Sequence, residues 1–432
     1  MAINKDYFVI EGLAGARKLR GKISVNGSKN AALPAMAASL LFDNPVTLTN
    51  VPAIEDIKRM GELLKSLKTK VSHQGKHSLI IDPRSTKKTA FNEEISKRLR
   101  ASIVLLGPVL GRFGEASLPH PGGCVIGARP IDLFIEGFDK MGVNFSEKDG
   151  LYTFKTRGGK LSGADITFKI VSVTATETFL MAAVLAKGTT VLRNVALEPE
   201  VTSVAEWLMR CGAKISGIGT STLTIEGGEL LQAPTLPFPI IPDRIEAGSF
   251  LILGAISASR LTIEKCNPEH IIVTIELLRE AGLDIETGPD FIKIKPGKEN
   301  QCRTISIRTH EYPGFPTDLQ APLTVFMTQS CGEGAVFETI FEGRLNYTEI
   351  LIKMGADLKM WDAHHVTVKG PTKLSGKEVE SPDIRAGLAF IIAAIAAEGQ
   401  SIIRNAYYID RGYEHIERRL RKIGVNIRRV AG

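Results

Sequence analysis

A helix-to-strand junction built on glycine recurs along this chain at a nearly constant interval, and it restricts the possible folds more than any other feature. The copies read Met141-Gly142-Val143-Asn144-Phe145, Cys211-Gly212-Ala213-Lys214-Ile215, Ala281-Gly282-Leu283-Asp284-Ile285, Met354-Gly355-Ala356-Asp357-Leu358 and Ile423-Gly424-Val425-Asn426-Ile427. Their glycines stand 70, 70, 73 and 69 residues apart. A degenerate first copy, Leu67-Lys68-Thr69-Lys70-Val71, lies 74 residues before Gly142. Glycine at the end of a helix supplies the left-handed conformation that stops it, and the alternating residues behind it start a strand. Six units of about 70 residues account for all 432 positions, a period too long for the common solenoids.

Within a unit an apolar helix comes first, then a strand, then an amphipathic helix. The first helices, over 31–41, 178–186, 247–257 and 387–397, are apolar almost all round, which predicts burial on every side. Strands such as Thr190-Val191-Leu192 and Leu261-Thr262-Ile263 follow, and amphipathic helices over 202–210 and 270–280 cover the sheet. This order predicts an α/β architecture with helices inside and sheets outside, three units to a domain. A chain of this length exceeds one ordinary core. Pro234, Pro237 and Pro242 fall between the third and fourth units, so a boundary is expected near residue 240. The expectation is two inside-out α/β-barrel-like domains, each a pseudo-threefold set of repeats, with the active site in a cleft between them. One domain would span 29–241, and the other 1–28 together with 242–432.

Charge narrows the partners. The net charge is +7 and the pI about 9.0, yet no run of five lysines or arginines occurs. The densest stretch, Arg418-Arg419-Leu420-Arg421-Lys422, is interrupted by leucine as an amphipathic helix would be. Such an excess suits small anionic substrates and argues against a nucleic-acid surface. The five cysteines (124, 211, 266, 302 and 331) are odd in number and form no CxxC pair. Neither a disulfide framework nor a zinc site is expected, and no cofactor is called for. No apolar run approaches the ~20 residues of a membrane helix, and the first residues lack an apolar signal core. A soluble cytoplasmic protein without nucleic-acid or membrane partners is expected; the sequence sets no oligomeric state.

Polar residues gather where the apolar helices begin: Asn26-Gly27-Ser28-Lys29-Asn30, Arg98-Leu99-Arg100, Ser172, Pro242-Asp243-Arg244, Phe315-Pro316-Thr317-Asp318 and Pro382-Asp383-Ile384-Arg385. Helix capping accounts for Asp243, Asp318 and Asp383 well enough. It does not account for Lys29, Arg100, Arg244 and Arg385, because a cation is disfavoured at the positive end of a helix. Cations together with helix N-termini make an anion site, and three such starts per domain point to a multiply charged phosphate substrate.

One loop stands out: His120-Pro121-Gly122-Gly123-Cys124-Val125-Ile126-Gly127-Ala128-Arg129-Pro130. Proline and paired glycines read as a turn, and a reachable thiol near a cation is where acid or thiolate chemistry becomes feasible. A lone cysteine is more often a small buried apolar residue, so the loop alone decides nothing.

Taken together, Ser28-Lys29-Asn30-Ala31-Ala32-Leu33-Pro34, Arg100-Ala101-Ser102, the Cys124 loop through Asp132-Leu133, Phe315-Pro316-Thr317-Asp318 and Asp410-Arg411-Gly412-Tyr413-Glu414 resemble the UDP-N-acetylglucosamine 1-carboxyvinyltransferase family of enolpyruvyl transferases. The resemblance runs in order from about residue 8 to 430. It implies a pair of inside-out α/β domains and a cell-wall activity, the addition of a sugar 3-hydroxyl to phosphoenolpyruvate followed by loss of phosphate. It also implies roles: Cys124 as proton donor to C3, Asp318 as general base, and Lys29, Asn30, Arg129, Arg385 and Arg411 as holders of phosphoenolpyruvate, with Arg344 nearby. Lys29 and Arg411 count among the catalytic residues. Contacts to UDP-N-acetylglucosamine fall to Arg100, Arg129, Pro130, Ile131, Asp132, Leu133, Val171, Ser172, Val173, Asp318 and Ile340. Members of the family form an adduct between this cysteine and phosphoenolpyruvate and are alkylated there by fosfomycin.

Two positions depart from the family pattern. Ile170 stands where relatives often have lysine, with Lys169 one place earlier, and Thr174 replaces a common glycine. The sister enzyme, 5-enolpyruvylshikimate-3-phosphate synthase, has Gly-Ser-Lys-Ser where this chain has Gly27-Ser28-Lys29-Asn30, and lacks the Pro-Gly-Gly-Cys loop. A silent sugar-nucleotide-binding paralogue would not need the acid and base positions.

Overall fold

The structure, a computed structural model, describes residues 5–120, 131–295 and 302–432. It is built on the six junctions. Gly142, Gly212, Gly282, Gly355 and Gly424 have φ of 82°, 104°, 99°, 105° and 103°, and the degenerate copy puts Lys68 itself at 71°. After Lys68, Gly212, Gly282, Gly355 and Gly424 the next N–H along bonds back to the carbonyls of Leu64, Leu208, Leu278, Leu351 and Leu420, closing the C-terminal motif of the helix. Lys68 adopts at an exposed site a conformation that costs an L-residue about 1–2 kcal/mol. That explains why only this copy lacks its glycine and still folds as the others do.

The described residues cluster into two compact units, one holding 5–26 with Pro242–Gly432, the other 27–120 with 131–241. Each contains three sheets. In the first unit the strand orders, by residue range, are Glu378–Glu380, Gln400–Arg404, Tyr7–Glu11, Asn426–Val430; then Ile285–Thr287, Phe291–Ile294, Ala258–Glu264, Leu19–Ser24; then Ile307–Arg308, Gly332–Phe337, His365–Gly370, Asp357–Met360. One pair in each sheet is parallel, one of its strands directly following a buried helix in the sequence; the others are antiparallel. Tyr7–Glu11 lies between Gln400–Arg404 and Asn426–Val430, so the first strand of the chain completes the last repeat.

The second unit repeats the plan with Lys214–Ser216, Thr222–Glu226, Thr189–Arg193, Asp165–Thr167; then Phe238–Pro239, Val46–Thr49, Leu79–Asp82, Lys70–His73; then Glu115–Pro119, Leu151–Thr156, Val143–Lys148. The last sheet has three strands, and its missing edge is reduced to a single bridge between Ala90 and Ser117.

The inner helices are buried as expected. Arg244–Ser257, Gln320–Thr328 and Ile384–Ala396 pack on one another in the first unit. In the second, Leu106–Phe113 packs on Val173–Val184, and the 3-10 turn Arg100–Leu105 touches both Val173–Val184 and Lys29–Ala38. Gly107 allows the closest approach, since a Cβ there would overlap the backbone carbonyl of Thr178. All four inner helices expected from apolar runs start earlier than those runs, because the first turn is polar: Lys29–Ala38, Val173–Val184, Arg244–Ser257 and Ile384–Ala396. The amphipathic helices do more than cover sheets. Glu55–Ser66 and Pro199–Arg210 also pack on the Lys29–Ala38 helix.

Candidate active site

In the first unit the polar helix starts resolve into two kinds. Asp243 and Asp383 are caps: Asp243 Oδ1 accepts from the N–H groups of Ile245 and Glu246, and Asp383 Oδ1 from those of Arg385 and Ala386. Asp318 is not. It sits inside the 3-10 turn Thr317–Leu319, which carries no side-chain cap. Its Oδ2 accepts from Arg385 Nε at 2.9 Å and its Oδ1 from Arg344 Nη2. Capping thus accounts for two of the three acids, and the third belongs to an ion-pair cluster.

Both arginines are anchored from behind. Arg344 Nε donates to Thr317 Oγ1 at 3.2 Å, and Thr317 donates in turn to Glu338 Oε2 at 2.9 Å. Glu338 is fully buried and also accepts from Gln320 Nε2 and from the N–H groups of Ile340 and Phe341. It fixes the turn that carries Ile340. Arg385 Nη1 donates to the Tyr413 hydroxyl at 2.9 Å. Burial works against the charge of Arg385, but Tyr413, Asp318 and Asp243 around it raise its pKa. A guanidinium stays charged at any working pH, so the helix start at Ile384 presents a fixed cation where its dipole alone disfavours one.

Glycine makes this geometry possible. A Cβ at Gly412 would collide with Ile384 Cγ2, so only glycine lets the Arg411–Tyr413 segment press against the start of the Ile384–Ala396 helix. Arg411 follows the short helix Ala406–Asp410 and is half-buried. Its neighbour Asp410 is structural: Arg429 Nη1 binds it at 2.9 Å and also binds Asp6 at 3.2 Å.

The second unit presents its own polar helix starts. Ser28 caps the Lys29–Ala38 helix, its Oγ accepting from Ala31 N. A Cβ at Gly27 would overlap the carbonyl of Asn50, and Ser28 N donates to Ile241 O at 2.7 Å. Lys29 is therefore held where its Nζ lies 3.5 Å from the buried Asp56 carboxylate. Asn30 is half-buried in the same turn, and Arg100 heads the 3-10 turn Arg100–Leu105, also half-buried.

Ser172 caps Val173–Val184 by accepting from Ala175 N at 3.3 Å, with Val171, Ser172 and Val173 half-buried. Lys169 Nζ pairs with Glu136 Oε1 at 2.7 Å, both exposed. That pair ties the 169–173 segment to the helix Asp132–Lys140, whose N-cap is Ile131 and whose first residues are Asp132 and Leu133. Two of the expected nucleotide-contact segments are thus neighbours. Thr174 fits the helix without disturbance, its carbonyl accepting from Thr178 Oγ1.

Cys124, Arg129 and Pro130 lie outside the described residues. The other cysteines are free thiols. Burial raises the pKa of Cys211 and pushes Cys266 up to about 11, so neither is an activated nucleophile. Among the described residues no group of three or more His, Cys, Asp or Glu could hold a metal ion, and no helix is long and apolar enough to cross a membrane. Reading the sequence missed Glu338 and Tyr413. Tyr413 lies inside a motif already singled out, whereas the side chains that Glu338 holds, Thr317 and Gln320, lie 21 and 18 residues away in the sequence.

The model of the EPSP synthase (3-phosphoshikimate 1-carboxyvinyltransferase) family matches residues 13–420. Among solved structures, the enolpyruvyl transferase NikO from Streptomyces tendae superposes with a TM-score of 0.88 at 22% identity, covering 99% of this chain and 100% of that one. An EPSP synthase from Acinetobacter baumannii gives 0.72 at 16%, with the same coverage. These likenesses establish the fold. Closer in sequence are two proteins named UDP-N-acetylglucosamine 1-carboxyvinyltransferase. The one from Koribacter versatilis (strain Ellin345) is 43% identical over 428 residues, 98% of this chain and 96% of that one. The one from Solibacter usitatus (strain Ellin6076) is 44% identical over 425 residues, 98% and 100%. With this identity over nearly its whole length, and with the two-unit repeat fold, the chain belongs to the UDP-N-acetylglucosamine 1-carboxyvinyltransferase family of enolpyruvyl transferases.

Proposed function

We propose that this protein transfers the enolpyruvyl group of phosphoenolpyruvate to the 3-hydroxyl of UDP-N-acetylglucosamine, releasing phosphate, and so supplies a step of peptidoglycan synthesis. The observation that carries the site reading is the Asp318 carboxylate paired with Arg344 and Arg385, two buried guanidiniums that are each anchored by a further hydrogen bond. Fixed cations of this kind suit a reaction in which a trianionic co-substrate is held still beside a carboxylate.

In this reading Lys29, Asn30, Arg129, Arg385 and Arg411 hold phosphoenolpyruvate. Arg100, Arg129, Pro130, Ile131, Asp132, Leu133, Val171, Ser172, Val173 and Ile340 contact UDP-N-acetylglucosamine. Asp318 takes the proton of the 3-hydroxyl as its oxygen bonds to C2, and the C2=C3 electron pair takes a proton from Cys124 at C3. The tetrahedral adduct then expels phosphate with the C2–O pair and loses a C3 proton, restoring the double bond. No redox partner is needed. The reaction runs in the cytoplasm, where both substrates are small soluble anions.

Phosphate release from phosphoenolpyruvate, measured with UDP-N-acetylglucosamine and with shikimate 3-phosphate as alternative acceptors, tests the reading. Release that depends on UDP-N-acetylglucosamine is expected; release with shikimate 3-phosphate instead would overturn it. Cys124→Ala is expected to abolish both turnover and fosfomycin labelling.

A further inference from the structure

Asp318 is engaged in a way that conflicts with its assigned task. Both of its oxygens are occupied by guanidiniums, and a carboxylate held between two cations is a poor proton acceptor. Its side chain is 26% exposed, whereas those of Arg344 and Arg385 are 5% and 6% exposed. The acid therefore lies at the accessible side of the cluster and the cations behind it. The cations are also the better anchored partners, through Thr317 and Glu338 on one side and Tyr413 on the other. Asp243 adds negative charge near Arg385. Arg344 Nη1 and Arg385 Nη2 donate to no partner among the described residues, so each guanidinium has hydrogens left for a ligand.

We propose that this pairing is a resting lock on the base, and that the anionic co-substrate opens it by taking the guanidinium donors that Asp318 now holds. Guanidiniums bind carboxylate and phosphate groups in the same bidentate fashion, so the anionic co-substrate, seated first on those remaining hydrogens, competes with Asp318 for the donors it holds. The base becomes able to accept a proton only when the carbon to be attacked is in place. The released carboxylate oxygen then takes the 3-hydroxyl proton while the hydroxyl oxygen forms its bond to C2, as described above, and no further reactant enters. This inference rests on the reading that Asp318 is the base and phosphoenolpyruvate the co-substrate.

The test uses phosphoenolpyruvate together with a 3-deoxy analogue of UDP-N-acetylglucosamine, which lacks the attacking hydroxyl and arrests the complex before addition. Protein labelled with carbon-13 at the aspartate carboxyls, with Asp318→Asn to assign the signal, is titrated with the analogue alone and then with both ligands. The Asp318 midpoint is expected to rise by about one pH unit or more, a tenfold change in proton affinity, when phosphoenolpyruvate is added. A crystal structure of the same complex is expected to show Arg385 Nε on the ligand and more than about 4 Å, the limit of an ion pair, from Asp318. A retained Asp318–Arg385 pair, or an unmoved midpoint, overturns the lock. Turnover of the true substrates is scored separately: an active enzyme with an intact pair refutes the lock alone, and an enzyme without phosphate release refutes the functional reading beneath it.

Discussion

Replacing Tyr413 by phenylalanine removes one oxygen and almost no volume, which makes it a clean probe of how Arg385 is held. The side chain is 1% exposed, and its hydroxyl accepts from Arg385 Nη1 at 2.9 Å. Burial raises the pKa of this phenol although Arg385 opposes the shift, so the group is a neutral acceptor at working pH. A hydrogen bond to a charged group contributes about 1.5–3 kcal/mol, and Arg385, itself 5% exposed, has little access to water as a substitute. If that bond sets the position of Arg385 in the transition state, its loss lowers kcat/KM for phosphoenolpyruvate by about 10- to 150-fold, at 1.36 kcal/mol per factor of ten. Initial rates at saturating UDP-N-acetylglucosamine, with urea unfolding in parallel, separate the two effects. The KM for UDP-N-acetylglucosamine is expected to stay within about twofold, because Tyr413 acts on the arginine and not on the sugar. An unchanged kcat/KM alongside lowered stability would show that Tyr413 serves the fold only and would refute the positioning argument.

Three further outcomes are expected. Glu177 is buried, and burial, with Glu200 and Glu198 nearby, raises its pKa well above the ordinary carboxylate range. Its contribution to stability is therefore complete at low pH and lost as pH rises through the folded-state value. Glu177→Gln, which has no proton to lose, is expected to be more stable than wild type near about pH 8 and to lose that advantage near about pH 4 in urea melts; a constant gap would contradict this. Gly137→Ala puts a methyl group into the Phe179 ring and is expected to lower stability by about 1–3 kcal/mol through overpacking, read from the same melts. Lys169→Ala removes an exposed pair with Glu136 and is expected to change stability by less than about 1 kcal/mol. It should leave the KM for UDP-N-acetylglucosamine unchanged; a tenfold rise would make Lys169 a nucleotide contact.

The repeat was legible because each copy ends its helix with the same backbone requirement, and a glycine advertises a positive φ. Lys68 is the instructive exception: it meets the same requirement without the residue that signals it. The inner helices were legible from their unbroken apolar runs, and their starts from the polar residues before them, Ser172, Asp243 and Asp383, which cap them. The acids at those starts held a distinction that the spacing already contained. Asp243 and Asp383 directly follow proline and cap their helices, whereas Asp318 stands one residue farther from Pro316 and falls inside the 3-10 turn. That single step turns a cap into an ion-pair partner. Tyr413 and Glu338 were illegible for a different reason. Tyr413 binds a side chain 28 residues away and Glu338 groups 18 and 21 residues away, and such contacts exist only once the inner helices and sheet ends have packed.

The proposed reaction adds a sugar hydroxyl across the double bond of phosphoenolpyruvate and then eliminates phosphate. Running the reaction in deuterium oxide and analysing the product by mass spectrometry and proton NMR tests both halves at once. This chemistry yields UDP-N-acetylglucosamine carrying an enolpyruvyl ether at its 3-hydroxyl, with solvent deuterium in the vinyl group, because C3 gains a solvent-derived hydrogen before it loses one. An ether whose vinyl group contains no deuterium, or the absence of any transfer to UDP-N-acetylglucosamine, would contradict it.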